Sequence, residues 1–297
     1  MVENKYKNLR LTNKVEEANC ITHSGRFHVD DIISTIFLSK IMDNIILARV
    51  PSIEKIDIEN KIVYDIGLGE FDHHQKNRNG KRDNGIFYSS IGLLWKKFGR
   101  VYLRKMRVKY LEKVFKYIDK ELIQNIDAED NMQFEFIENK ITPNFVKLCN
   151  PKWNENISEN EAFMNAIKLA DGFWNVYINN AIAEVEGIEI VVEKISKCRE
   201  PYIIFDTEMP YKKVIQKFIE NKIKYIIYKS RREGYEVRTI GDTCKFKNEL
   251  VGTRNIEDSK KVSGNNELIY VDNNGKLCCT ETLESAIKLI KYNEDFE

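Results

Sequence analysis

Apolar residues in the first hundred positions fall into short runs of strand length, separated by polar turns and one helix-spaced segment. The runs are Ala18–Thr22, Ile45–Val50 and Lys61–Ile66. Between the first two, Asp30–Met42 carries apolar residues near helical spacing, with Asp30 in the first turn. This alternation predicts an α/β fold with a parallel sheet, whose ligand-binding loops lie at the carboxyl ends of the strands.

The pattern changes after a long helical stretch over residues 159–185, and Tyr202–Phe205 begins what we predict to be a second unit. Strands are predicted at residues 223–228, 235–240 and 268–271, with helices at 211–221 and 282–291. We therefore predict a polar amino-terminal arm over residues 1–17, a parallel-sheet domain with flanking helices over 18–187, and a smaller α+β carboxy-terminal domain over 188–297.

The composition of the chain restricts which binding partners and which cellular compartment we expect. Lys+Arg 47 against Asp+Glu 46 leaves a net charge of +1, so a polyanion would need a local basic patch. The six cysteines form no C-x-x-C pair, which favours a reducing, cytoplasmic location. No apolar run approaches the ~18 residues of a membrane span, so we expect no membrane partner.

The histidines are the strongest chemical signal, because all four lie between positions 23 and 74. Neutral imidazoles beside carboxylates suit Mn²⁺, Mg²⁺ or Fe²⁺ better than a structural zinc site. The set exceeds the needs of one tetrahedral ion and predicts two ions that share a carboxylate, an arrangement that phosphoesterases use. The candidate ligands are His23, His28, Asp30, Asp65, His73 and Asp127.

Each residue also has a plainer interpretation when taken singly. Asp65 at a strand end is a common turn former, and His28 alone is compatible with a packed histidine. Asp31 and Asp130 are more readily explained as helix caps or solvent-facing acids than as ligands. The adjacent pair His73–His74 is harder to explain structurally, so we favour a metal site for the set as a whole.

Basic and aromatic residues are interleaved from Lys96 to Tyr110. One interpretation is a track for a nucleic-acid strand. The other, more common in general, is an amphipathic helical pair whose charges are simply solvated.

Several strings together carry a resemblance to a known family. They are THSGRFHVDD at 22–31, VYDIG at 63–67, FDHHQ at 71–75, SSIGLLWKKFG at 89–99, IDAEDN at 126–131 and NPKWNE at 150–155. These resemble the MYG-type (melanocyte proliferating gene) family of the DHH phosphoesterase superfamily. Similarity is weaker towards the carboxyl end, where YEVR at 235–238 is similar to a family segment but Asp272 stands where relatives usually carry histidine.

The resemblance implies a DHH-type catalytic domain over 18–187 and a substrate-binding domain over 188–297. The implied activity is that of a metal-dependent phosphodiesterase, a 3′–5′ exonuclease on RNA or short oligonucleotides, with water activated by two divalent cations. Mn²⁺ is the expected cation, with Mg²⁺ or Fe²⁺ as alternatives.

The resemblance also implies a role for each site residue. His23 and Asp30 would hold one ion with His28 as a further ligand. Asp65 would bridge the ions, and His73 and Asp127 would complete the second site. Asp72 would orient His73, and His74 would face the scissile phosphate. We also assign five residues to substrate binding: Ser89, Ser90, Arg238, Ser263 and Gly264.

Two other functions stay open at this stage. One is a small-molecule phosphohydrolase acting on pyrophosphate, a dinucleotide or a nucleotide. The other is a non-catalytic nucleic-acid-binding module that keeps the fold. The oligomeric state is open as well, with a homodimer as one option.

Overall fold

The protein consists of two compact units, Met1–Val185 and Glu186–Glu297, and the boundary falls inside one long helix. The computed structural model describes residues 5–76, 78–137, 142–251 and 256–294. The predicted fold class is confirmed: the first unit contains a largely parallel sheet with flanking helices, and the second contains a separate mixed sheet.

The first unit is built on a five-stranded sheet in the order β1-β2-β4-β3-β5. Its strands are β1 Lys5–Tyr6, β2 Leu9–Thr12, β3 Cys20–His23, β4 Ile45–Val50 and β5 Ile62–Val63. Strand β1 pairs antiparallel with β2, and all the other neighbours are parallel. The carboxyl ends of β3 and β5 therefore lie at the same edge of the sheet.

The amino-terminal segment corrects one prediction. We predicted a polar arm over residues 1–17, but Leu9–Thr12 forms an inner strand paired with β4, and Leu9 and Leu11 are buried. Side chains alternate along a strand, so two leucines two positions apart suffice to face the core. Only Arg10 separates the two leucines, and the many polar residues around them leave a pattern too short to recognise in the sequence. Residues 1–4 of the predicted arm lie outside the described residues.

Helices pack against this sheet around a cluster of large aromatic side chains. They are α1 Val29–Ile41, α2 Ser90–Lys105, α3 Leu111–Ile118, α4 Gln124–Asp130 and α5 Glu159–Lys197, with a π-helical turn Asp119–Ile123 between α3 and α4. Phe37 of α1 contacts Trp95 of α2 and Trp174 of α5, at ring-centroid distances of 5.5 and 5.8 Å. These contacts fix α1, the helix that follows β3 and carries Asp30.

The second unit contains a five-stranded sheet in the order β6-β7-β8-β10-β9, in which only β6 and β7 are parallel. One face packs on α8 through Leu289, and part of the other packs on Phe218 of α6. The elements are β6 Tyr202–Phe205, α6 Ile215–Glu220, β7 Tyr225–Lys229, β8 Tyr235–Thr239, α7 Ile256–Ser263, β9 Leu268–Val271, β10 Leu277–Thr280 and α8 Leu283–Glu294.

None of the helices within the described ranges combines the length and the apolar character that a membrane crossing requires.

Candidate metal centre

Strand ends and one helix terminus position three of the candidate ligands, His23, His28 and Asp65. His23 is the last residue of β3, and His28 is the N-cap of α1. Asp65 follows β5 and has a left-handed backbone with φ of 57°, which Asp tolerates better than most residues. The Asp65 N–H donates to the Phe71 carbonyl over 3.1 Å, so the loop carrying FDHHQ returns beside it.

Asp65 lies between His23 and His73. The Nε2 of His23 is 3.2 Å from Asp65 Oδ2, and the Nδ1 of His73 is 3.4 Å from Asp65 Oδ1. Three groups of potential ligands have one atom per residue within 4.8 Å of one another: His23, Asp31 and Asp65; His28, Asp30 and Asp130; and Asp65, Asp72, His73 and His74. The shared position of Asp65 is the one that a bridging carboxylate needs.

Asp30 shows whether a cation fits this cluster. The residue is fully buried, and neither of its carboxylate oxygens has a hydrogen-bond partner among the described residues. Burial, followed by the nearby charges of Asp130, Asp65 and Asp31, raises the pKa of Asp30 well above its usual range. Because buried polar groups are almost always partnered, a bound cation would supply the missing interaction. The imidazoles and carboxylates present therefore fit divalent cations.

His23 has a strongly perturbed pKa. Burial alone would lower the pKa of His23, but hydrogen bonds to Asp31 and Asp65 outweigh it and raise the pKa to about 10. A protonated imidazole cannot ligate a metal, so cation binding at His23 would release a proton.

Asp127 is a correction to the predicted ligand set. Its Oδ1 accepts hydrogen bonds from the Ser89 N–H at 2.9 Å and the Ser89 hydroxyl at 2.6 Å, and its Oδ2 accepts one from Arg82. Asp130, rather than Asp127, contacts a histidine of the cluster: its Oδ2 lies 2.8 Å from His73 Nε2. The two aspartates are three residues apart on one helix face, so their spacing alone did not distinguish them.

Asp31 caps a helix, as one of our plainer interpretations has it, but it also contacts the cluster. Its Oδ2 lies 2.8 Å from His23 Nε2 and accepts the His28 N–H over 3.1 Å, so it both caps α1 and faces the cluster. A signal was present in the sequence, because residues 29–38 contain no Lys, Arg, Glu or Gln, and the structure buries every residue from Val29 to Leu38. An acid at any position of such a helix faces the interior.

Asp72 orients His74 rather than His73, contrary to our prediction. The Asp72 Oδ1 lies 2.7 Å from His74 Nδ1 and accepts the His74 N–H over 3.0 Å. Burial would raise the pKa of Asp72, but these bonds and one from the Leu68 N–H bring it to about 2. The side chain of His74 is 57% exposed and that of His73 only 9%, so the two rings have different environments.

Ser89 and Ser90, assigned to substrate binding, are instead buried behind the carboxylates. The Ser90 hydroxyl donates to Asp65 Oδ1 over 3.0 Å, as Ser89 does to Asp127. Both serines therefore hold aspartates in place, and their burial contradicts direct substrate contact.

The other three residues assigned to substrate binding lie in the second unit. Arg238 donates to Glu236 over 3.0 Å and to the Tyr228 hydroxyl. Ser263 is buried and donates to a carbonyl one turn earlier in α7, so the structure contradicts a substrate contact there. Gly264 is exposed, with φ of 61° and open space where a Cβ would lie. Substrate contact by Arg238 and Gly264 stays a prediction.

Taken together, the parallel sheet and its strand-end cluster of histidines and aspartates define a candidate metal-dependent phosphoesterase. A family model named MYG1_exonuc, described as "Uncharacterised protein family (UPF0160)", matches residues 19–293, and the chain belongs to this family. The suspected family is thereby confirmed. The MYG1 protein of Schizosaccharomyces pombe is 24% identical over 317 residues, covering 93% of this chain and 97% of that protein. No solved structure gives a significant match.

We expect Mn²⁺ to raise the melting temperature of protein first stripped with a chelator, because it would neutralise the buried carboxylates. At a hundredfold excess over its dissociation constant, a ligand that binds only the folded state adds about 2.7 kcal/mol. Asp30→Asn should lose most of this shift. Exposed Asp43→Asn is the control and should retain it. An equal Mn²⁺ shift in Asp30→Asn would place the cation elsewhere.

Proposed function

We propose that this protein is a metal-dependent phosphodiesterase that removes nucleotides in the 3′–5′ direction from RNA or short oligonucleotides. The observation that carries the proposal is Asp30, a buried carboxylate without a hydrogen-bond partner among the described residues, which groups with His28 and Asp130 next to the two ligand groups that share Asp65. Divalent cations bound there would lower the pKa of a water molecule and neutralise charge on phosphoryl oxygens. The name of the family model, which indicates an exonuclease, supports the same class of reaction.

The chain's own groups would position the substrate and hold the cations. The holding residues would be His23, His28, Asp30, Asp65, His73 and Asp130, with Asp31 beside His23. Mn²⁺ is the cation we propose, on the basis of this mixed imidazole and carboxylate set.

His74 would act on the phosphate directly. The hydrogen bond to Asp72, more than any other interaction, raises the pKa of His74 above its usual value, which favours the protonated ring. A protonated, half-exposed imidazole held by a carboxylate can donate to a phosphoryl oxygen as charge develops there.

The proposal is tested by comparing products under Mn²⁺. We expect RNA labelled at its 5′ end to shorten progressively from the 3′ end, while unlabelled mononucleotides accumulate and are detected by chromatography. Pyrophosphate should yield little phosphate under the same conditions. Phosphate release from pyrophosphate without RNA shortening would overturn the exonuclease proposal in favour of a small-molecule phosphohydrolase.

One observation favours a short substrate over a long strand. In the basic stretch from Lys96 to Tyr110, Lys97 pairs with Glu70 at 2.5 Å, and Arg100 pairs with Glu112 at 2.8 Å. Cations that already have acidic partners contribute less to phosphate binding. A di- or trinucleotide is therefore the second candidate substrate.

We expect the triple variant Lys97→Gln, Arg100→Gln and Arg104→Gln to leave RNA binding nearly unchanged, because two of its three cations are already paired. Every phosphate that one of these cations neutralises would contribute about 0.7 to the slope of log K against log salt for a single strand. Fluorescence anisotropy at several salt concentrations measures this slope in the wild type and the variant. A slope that is shallower by about 1.4 or more in the variant would establish the stretch as a nucleic-acid track.

A further inference from the structure

A groove of about 240 Å³ opens beside the candidate metal centre and shares two residues with it. His28 and Asp130, members of one potential ligand group, line the groove. Met132, Phe134 and Lys147 line it as well. Any molecule that places a phosphate on the cluster would therefore have this groove as an adjoining surface.

Two of the four apolar residues that line the groove are largely exposed. Met132 is 78% exposed and Phe134 is 63% exposed, and they lie two and four positions after the end of α4. Such large apolar groups beside a polar cluster indicate a binding surface more than a packing role.

Met132 also occupies a backbone position that usually selects glycine. Its φ is 56°, and its N–H donates to the Glu129 carbonyl over 3.1 Å in the turn that ends α4. This left-handed position after a helix favours glycine or asparagine, because a side chain there is strained. Arg107 and Lys222 occupy the same kind of position after other helices, so the turn does not require glycine, and it leaves the Met132 thioether accessible to a ligand.

We propose that this groove is the subsite for the nucleobase of the nucleotide whose phosphate occupies the metal centre, an inference that rests on the proposed function. Phe134 offers an aromatic face on which a base can stack without selecting its sequence. Met132 adds a polarisable apolar contact. The volume is below the ~300–1,000 Å³ typical of sites for whole drug-sized ligands, so the groove suits a single base rather than a strand.

The charges of the groove favour a base over a second phosphate. Lys147 forms an ion pair with Glu129, which also lines the groove, so the positive charge of this lysine is already balanced. A phosphate would need an uncompensated cation. An uncharged base needs an apolar face with a few polar groups at its edge, and the Lys147–Glu129 pair supplies these.

The test compares adenosine 5′-monophosphate with ribose 5-phosphate, which keeps the phosphate and sugar but lacks the base. Equilibrium binding is measured by calorimetry with Mn²⁺ for the wild type, for Phe134→Ala and for Trp153→Ala. Trp153 is 97% exposed and does not line the groove, so it is the matched aromatic control.

We expect the wild type to bind the nucleotide more tightly than the sugar phosphate. Phe134→Ala should weaken nucleotide binding by roughly 5- to 100-fold, the scale of one base–aromatic stack, and leave sugar-phosphate binding within about twofold. Trp153→Ala should change neither. Equal affinities of the wild type for the two ligands, or an equal loss for both in Phe134→Ala, would overturn the subsite.

A second variant separates folding from binding. Met132→Gly removes the strained side chain, so it should fold at least as stably as the wild type and still bind the nucleotide more weakly.

The tests of the proposed function and of the subsite can fail independently. A wild type that shortens no RNA refutes the exonuclease but leaves the binding comparison valid, whereas unchanged nucleotide binding in Phe134→Ala refutes only the subsite.

Discussion

Asp65→Asn should lower Mn²⁺-dependent kcat/KM on RNA by at least about a thousandfold. The carboxylate lies between His23 and His73, so its loss would disturb the ligands of both proposed cations. Metal stabilisation of transition-state charge amounts to several kcal/mol, and each 1.36 kcal/mol is a factor of ten in rate. Initial rates on labelled RNA at saturating Mn²⁺ measure the loss.

Asparagine is a better replacement than alanine at this position. Asn tolerates the left-handed φ of 57°, and its amide oxygen can still accept the hydrogen bond from Ser90. The fold should therefore persist, as checked by circular dichroism. Asp43→Asn, which changes an exposed aspartate, should keep full activity. Near-normal turnover in Asp65→Asn would remove Asp65 from the bridging position.

The sequence predicted the local elements of the site well because each depends on nearby residues. The predicted strand ending at His23 and the predicted helix over 30–42 correspond to β3 and α1, and the strand predicted before Asp65 is present as the shorter β5. Convergence of the histidines also followed from the sequence, since parallel strands end at the same edge of a sheet.

Side-chain partners distant in sequence were not predictable in the same way. The polar segment over residues 76–85 has the composition of a surface loop, yet the side chain of Arg82 is only 8% exposed and pairs with Asp119 and Asp127. These partners are 37 and 45 residues further along the chain, and no local pattern connects them. We predicted Asp127 as a metal ligand because nothing near it in the sequence indicates that Arg82 is its partner.

Asp272, in the second unit, has a structural role that our sequence analysis did not assign to it. Its Oδ1 accepts the N–H groups of Lys276 and Leu277 at 2.7 and 3.0 Å, which closes the turn between β9 and β10. Asp is a common turn former, so a structural role accounts for Asp272. A substrate role for this turn has no support from these contacts.

Arg82→Met should lower the free energy of unfolding of the first unit by about 3–5 kcal/mol, the usual result of leaving one partner of a buried ion pair uncompensated. Asp127 is fully buried, and a Cβ added at Gly92 would lie 2.2 Å from its Oδ2, so the carboxylate has little room to move towards water. The double variant Arg82→Met, Asp127→Asn should recover part of the loss, because the buried group is then neutral.

The matched control is Arg100→Met, because Arg100 pairs with the exposed Glu112, and such a surface pair contributes only about 0–1 kcal/mol.

The pH dependence of the stability of Arg82→Met is a second check. Burial raises the pKa of Asp127 above its ordinary 3.8, whereas Arg82 and the Ser89 hydrogen bonds act against it, so loss of Arg82 raises this pKa further. A carboxyl group whose pKa is raised by folding holds its proton more tightly in the folded state, so stability falls as pH rises from 3.8 through the raised value. The deficit of Arg82→Met in urea unfolding should therefore be smallest near about pH 4 and largest at neutral pH. A deficit that is independent of pH, or no larger than that of Arg100→Met, would show that Arg82 does not hold Asp127 ionised.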